Sequence, residues 1–396
     1  MKYLADEKVN TGRQPEIDMI KAVIIILMIV VHSFQGFLQN SGFLTNAIYN
    51  TGYINGAAAF MICMGIGMRY SRRQDPKDTA LRGIALLTVG QLLNLLRTGF
   101  PGLIAFLATG EQTFVPFILD TFQSDIMTFA GLAFLLMALL KKLKLRDGWI
   151  LAIGAVMNCL TLLLFSTAEV TEEFLPRRFL NLFIKTGDSL FPLGSYFFFV
   201  TVGYMIGGIY PRIADKRRLA NRVLLVCVPA AAIYLVLRMT VPVPLTPEFD
   251  PQSEPDLGLD AVSSCMNAFI IMAVLYHICR LTGGKVPAFM AHLSQNINRY
   301  YCVSDVLLGI SMVVLLACGA VFQNQWAVLL ISISVTAVCY AVIELNARYV
   351  HFTLNGLKGA ARIIVYTAIW IVSLAMVLYG LSLIKGSRPV VSFFAG

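Results

Sequence analysis

Apolar stretches of about twenty residues, separated by short polar and often basic breaks, repeat along the whole chain. The pattern predicts membrane-crossing helices over residues 19–39, 53–69, 79–96, 125–140, 149–166, 190–210, 222–239, 257–279, 300–321, 327–347 and 361–383. Most reach the roughly 20 residues that the hydrocarbon core of a bilayer requires, and 125–140 is the shortest. The fold expected is all-α, a polytopic membrane protein with a bundle of about eleven transmembrane helices, ten being the alternative count. Whether a short segment within 101–119 dips into the membrane stays open.

The breaks carry further information. Residues 241–258, VPVPLTPEFDPQSEPDLG, combine prolines and acids with no base and read as a solvated loop. Residues 167–189 mix charges with Phe and Leu and are expected to lie along the outer membrane surface. No internal repeat is evident, which disfavours transporter folds built from inverted halves. A charged stretch precedes the first apolar run and no small-residue cleavage pattern follows it, so the first helix is expected to remain as an anchor. The expected organisation is a cytoplasmic tail over 1–18, one transmembrane domain over 19–384 and a C-terminal tail over 385–396.

Composition agrees with this pattern, since 58% hydrophobic and 13% charged residues exclude an ordinary soluble domain. Lys and Arg then set the orientation. With the N-terminus in the cytoplasm, the base-rich segments 2–13, 69–82, 141–146, 212–222, 280–285 and 348–362 all lie inside. Only Arg97, Arg177, Arg178, Lys185, Arg238, Lys385 and Arg388 fall outside. The net charge of +9 is thus a topology signal and needs no nucleic acid to explain it. The eight cysteines lie within or at the ends of apolar helices, without the spacing of a metal site or of a disulfide framework, and read as packing residues.

Ionisable groups inside spans are costly and become functional candidates. His32 stands eleven positions after Lys21 on the first helix, on the same face and about 16 Å further along it, near mid-membrane. An apolar setting favours the neutral imidazole, which can accept a proton from a hydroxyl or amine; the plainer role is a hydrogen bond between helices. Lys21 either acts with it or snorkels to the headgroups. Gln91, Asn94 and Arg97 recur every three residues, forming a polar stripe that can hold a polar substrate or satisfy neighbouring helices. Arg299 and Asp305 can form a buried pair or line a polar cavity. Arg69, Arg72, Arg73 and Arg82, with Lys77, crowd the second break, either as topology or as a site for phosphate oxygens. Glu344 and Arg348 read as a helical pair, and His277, His292 and His351 as structural.

Several of these segments have a familiar form. EIDMIKAVIIILMIVVHSF resembles the opening of membrane-bound acyltransferase family 3, with Lys21 in the place of an arginine and His32 matching a histidine. AAAFMICMGIGMRYSRR, LRGIALLTVGQLLNLLR and SDIMTFAGLAFLLMALLKKLKL are similar to the bacterial relatives of heparan-alpha-glucosaminide N-acetyltransferase. Met64 and Gly65 stand where family 3 has a Ser-Gly pair, as in the heparan-type proteins, whereas residues 39–52 lack the histidine that those proteins carry. The resemblance covers 13–146 well, and beyond that YFFFVTVGYMIGGIY.

This resemblance implies an acyltransferase in a bacterial plasma membrane that moves an acyl group, most often acetyl, from cytoplasmic acyl-CoA to an acceptor on the outer side. The acceptor would be a hydroxyl or amine of a glycan or small molecule. Acyl-CoA is the co-substrate and no metal is implied. His32 would be the base or carry the acyl group, with Lys21 beside it; Gln91, Asn94, Arg97, Arg299 and Asp305 would bind the acceptor, and Arg69, Arg72, Arg73 and Arg82 the coenzyme. The other reading is a proton-coupled transporter or flippase using Lys21, His32, Arg299 and Asp305 as its coupling network. Oligomeric state is open, a homo-oligomer included.

Overall fold

A computed structural model describes residues 4–38, 42–165, 174–185, 189–241, 257–320, 322–351 and 356–384, without the side chains of 49–55 and 165. Most of the 241–258 loop, part of 167–189 and the 385–396 tail lie outside the described residues. The first helix, α1 (Pro15–Phe37), starts at a proline, which presets the first turn and lacks only an amide that would be unpaired there anyway. Next come α2 (Phe43–Tyr70) and α3 (Pro76–Asn94), whose first turn is capped by Asp75 accepting from the Lys77 amide. One wide turn, Leu95–Gly99, joins α3 to α4 (Phe100–Thr109). A short α5 (Val115–Leu119) leads into α6 (Ile126–Lys142). The chain continues through α7 (Asp147–Phe165), α8 (Phe174–Leu180), α9 (Leu193–Ile209), α10 (Lys216–Thr240), α11 (Gly258–Leu281), α12 (Ala288–Gln295), α13 (Ile297–Ala317), α14 (Gln325–Leu345) and α15 (Gly359–Leu383).

Among the described residues ten helical segments are long and apolar enough to cross a membrane, and α2 adds a shorter apolar stretch, Gly56–Tyr70. The protein is therefore a polytopic helical bundle. Two expected spans are longer than the hydrophobic pattern indicated. The segment placed at 79–96 continues as Pro76–Thr109, 34 residues, and the short one at 125–140 belongs to Gln112–Lys142. The helix does not stop at Arg97, because that cation has a buried partner. Residues 101–119 form α4 and the returning α5.

Helix α1 runs through the centre, packed against α2, α11, α12, α13 and α14. The closest pairs around it are α2 with α9 and α3 with α6. At the first of these, a Cβ on Gly65 would overlap the Val200 carbonyl and one on Gly203 the Ile62 carbonyl, so the two backbones meet where no side chain fits. Fully buried Phe34, Met61, Phe129, Tyr196, Phe197 and Phe199 fill the interior. By contrast, only Ala220 and Arg238 are buried on α10, and many of its apolar side chains, Leu225, Val226, Ile233 and Val236 among them, are exposed.

One end of the bundle is tied by the N-terminal arm. The Val9 and Asn10 amides donate to the Pro211 carbonyl and the Ala5 amide to that of Arg212. Buried Glu16 takes Lys216 Nζ at 2.7 Å and the Tyr210 hydroxyl, and Asp18 accepts from Ser294 at 2.7 Å. Arg238, expected in an outer break, instead ends α10 buried against Asp260, which also accepts from Tyr234 at 2.9 Å. All eight cysteines are free.

Placing a branched side chain between α2 and α9 tests this packing. Gly203→Val is expected to destabilise the purified protein by about 1–3 kcal/mol, read as a lower thermal midpoint in detergent. An unchanged midpoint would show that the two backbones do not meet at this point.

Candidate functional site

The polar groups inside the bundle converge where α1, α3 and α13 meet. Arg97 Nη1 donates to Asp305 Oδ2 at 2.7 Å, and both side chains are nearly sealed, 5% and 6% exposed. His32 Nδ1 lies 3.5 Å from the other carboxylate oxygen, and its side chain is 31% exposed, so the ring can be reached while its anchor cannot. Arg97 Nη2 donates to Asn94 Oδ1 at 2.8 Å. One chain of contacts thus links α3, α13 and α1.

Local backbone chemistry places Arg97. Pro101 has no amide to donate to the Arg97 carbonyl four residues back. The helix widens there, with the Phe100 amide reaching Leu95 five residues back, a bulge of the kind frequent at functional sites. On the facing helix a Cβ at Gly309 would stand only 2.5 Å from the Arg97 carbonyl oxygen, so glycine lets α13 approach closely enough for Asp305 to meet the guanidinium.

Beside this pair the chain breaks helix inside the bundle. Asp120, Thr121, Gln123, Ser124 and Asp125 are all buried, and non-helical backbone is tolerated at such depth only when protein satisfies it. Gln91 Nε2 donates to the Thr121 carbonyl at 2.6 Å and Asn94 Nδ2 to that of Gln123 at 2.8 Å. Arg178 pairs with Asp120 at 2.8 Å. Asp125 caps α6, accepting from the Thr128 amide at 2.7 Å, and lies within electrostatic range of Arg97 and Asp305. The polar stripe on α3 therefore holds this break through Gln91 and Asn94, while Arg97 reaches across to α13.

Other expected groupings are redistributed. Arg299 is exposed and bonds Asn296 at 3.4 Å; the cation beside Asp305 is Arg97. Lys21, half-buried on α1, is within electrostatic range of Cys63 and far from His32. At the basic end Arg69 pairs with Asp147 at 3.1 Å and stacks on Tyr204. Arg82 stacks on Phe134 and donates to Ser71 at 3.1 Å, while Arg72 and Arg73 lie exposed on the connecting loop. Lys141 joins this group, bonded to Gln74 at 3.1 Å and facing Tyr204, within electrostatic range of Arg69 and Arg82. The sequence reading missed Lys141, which is distant in sequence and counted only as a topology signal. It also missed Asp125, legible there merely as a helix start. His292 is more embedded than expected, bonded to the Tyr300 hydroxyl at 2.9 Å and to Glu344 at 3.0 Å, with Glu344 also holding Arg348. Among the described residues no cluster of His, Cys, Asp and Glu could hold a metal.

Removing one partner of a buried ion pair leaves the other charge uncompensated. Arg97→Ala is expected to cost about 3–5 kcal/mol in thermal unfolding, and adding Asp305→Ala should restore part of the loss. A double variant whose loss equals the sum of both single losses would show that the two charges do not interact.

No curated protein and no solved structure matches the chain. The family described as heparan-alpha-glucosaminide N-acetyltransferase, catalytic, matches residues 13–241, a span that holds His32, Arg97 and Asp125 and ends before Asp305. That span is more than half of the protein, and the chain belongs to the heparan-alpha-glucosaminide N-acetyltransferase catalytic family, of membrane acetyltransferase type.

Proposed function

We propose that the protein moves an acetyl group from acetyl-CoA, bound at the basic cytoplasmic end, to a hydroxyl or amine of an extracytoplasmic acceptor, a carbohydrate by preference, with His32 as general base. The observation that carries this reading is the contact of His32 Nδ1 with the sealed Asp305 carboxylate. A carboxylate against Nδ1 orients the ring and leaves Nε2 to accept a proton, the arrangement used in acyl-transfer sites on unrelated folds. The acceptor proton moves to Nε2 as its oxygen or nitrogen attacks the thioester carbonyl. The carbon–sulfur bond breaks, and the imidazolium returns the proton to the departing thiolate.

Coenzyme A is a polyanion, and the cations at the basic end suit its phosphates. Arg82 and Lys141 flank the Arg69–Tyr204 stack, and Arg72 and Arg73 reach out from the loop. Lys21 supplies a further cation on α1 between that end and His32, along the direction in which the extended pantetheine arm would run. The Arg97–Asp305 pair acts through the imidazole. Gln91 and Asn94 keep the neighbouring break in shape. Family membership favours this enzyme over a proton-coupled transporter.

His32→Ala is expected to lower CoA release from acetyl-CoA by about 10²- to 10⁴-fold in nanodiscs while acetyl-CoA binding by calorimetry stays within a few-fold of the parent. Turnover retained in this variant would remove the base from the scheme. Arg82→Ala should weaken acetyl-CoA binding about tenfold, the loss of one charge-assisted hydrogen bond. Unchanged affinity would return the basic cluster to topology alone.

A further inference from the structure

Beyond His32 the first helix has little more than one turn left, ending at Phe37 on the side away from the basic cluster. There the start of α14 is fastened to it. The Phe322 amide donates to the Phe37 carbonyl at 3.3 Å, and the two rings meet edge to face at 6.5 Å. Next to this joint lies an open cleft of about 570 Å³, lined by Phe43 and Leu44 at the start of α2 and by Gln323, Asn324, Gln325 and Trp326 where the chain enters α14.

None of these six side chains is charged. Phe43 and Trp326 are 90% and 70% exposed, so their faces are open to a ligand. Asn324 Oδ1 takes the Trp326 amide at 2.9 Å and Gln325 Oε1 the Leu44 amide at 3.2 Å, which ties the two helix starts together. The Asn324 amide nitrogen, the Gln323 amide and the Trp326 indole N–H make no hydrogen bond among the described residues. Exposed rings beside unengaged amides, without a charge, match the surface of a pyranose. Its C–H face lies against an aromatic ring, and its hydroxyls both donate to and accept from amides. A phosphate or carboxylate would meet no cation in this cleft, and a lipid chain would leave the amides without partners.

We propose that this cleft is a saccharide subsite for the acceptor, in which Trp326 and Phe43 stack on one sugar ring and Gln323 and Asn324 hydrogen-bond its hydroxyls. The inference rests on the acceptor reading given above. From His32 to Phe37 the helix rises about 7–8 Å, so the ring in the cleft is a neighbour of the unit whose hydroxyl or amine reacts. The subsite therefore favours an oligosaccharide over a single sugar. Residues 323–326 lie beyond the span that the family matches, 13–241, and family membership does not assign them a role.

Saccharide titrations of the nanodisc-embedded protein, followed by tryptophan fluorescence and by calorimetry, test this without turnover. The probes are glucose, glucosamine and N-acetylglucosamine, each as the free sugar and as a linear trimer. The expected result is saturable binding of at least one trimer, about tenfold tighter than its monomer, as one added aromatic stack would give. Trp326→Leu should abolish the fluorescence change and Gln323→Ala should weaken trimer binding several-fold, while acetyl-CoA affinity stays at the parent value in both. No saturable binding of any trimer overturns the proposal. So does trimer affinity that both substitutions leave unchanged, the result expected if Trp326 only anchors the protein at the membrane surface. Trimer binding that depends on Trp326, found together with full turnover in His32→Ala, would keep the subsite and remove the base alone.

Discussion

The ion pair between Arg97 and Asp305 is the constraint around which the interior of this protein is arranged. Two opposite charges taken out of water are tolerated only when geometry and hydrogen bonds compensate them closely. Each local peculiarity nearby serves that requirement. Pro101 forces the wide turn that presents Arg97, Gly309 lets α13 approach the same turn, and Asn94 takes the second arm of the guanidinium. Asn94 also holds the Gln123 carbonyl, so the pair is bonded into the break that precedes α6.

That same constraint gives His32 its chemical character. A histidine alone on a lipid-facing helix would be a packing residue, but Asp305 meets it from the side already fixed by Arg97. The ring is open where its anchor is closed. Because α1 packs against α2, α11, α12, α13 and α14, the imidazole is placed by several helices rather than by one neighbour. The basic end, with Arg69, Arg82 and Lys141 near Tyr204, is tied to the interior through α2, α3, α6 and α9, the tightest packed elements. A donor held there and an acceptor arriving from the opposite end would meet at the centre of α1.

Much of this was legible in the chain because lipid imposes a strong filter on composition. Runs of apolar residues marked the helices, and a histidine in the first run stood out against them. The resemblance in residues 13–146 to the heparan-type acetyltransferases is borne out by a family match that extends to residue 241. What stayed hidden depends on contacts between distant segments. Arg97 and Asp305 are 208 residues apart, and Arg299, a few positions from Asp305, was the nearer candidate. Arg97 was taken for the outer end of a span, because a charge that has a buried partner looks the same in sequence as one at a membrane surface. The wide turn at Leu95–Gly99 left one mark in the sequence, Pro101, whose missing amide acts on the turn before it, and the expected span stopped short of it at residue 96. Asp125 was visible only as the start of a span, and its burial follows from the way Gln91 and Asn94 hold the break inward.

A double-mutant cycle on CoA release from acetyl-CoA in nanodiscs, comparing His32→Ala, Asp305→Asn and the two together, measures whether histidine and carboxylate act as one unit. If Asp305 works through the imidazole, the double variant is no slower than His32→Ala alone. Losses that multiply, with each substitution costing its full factor in the presence of the other, would contradict a base built from His32 and held by Asp305.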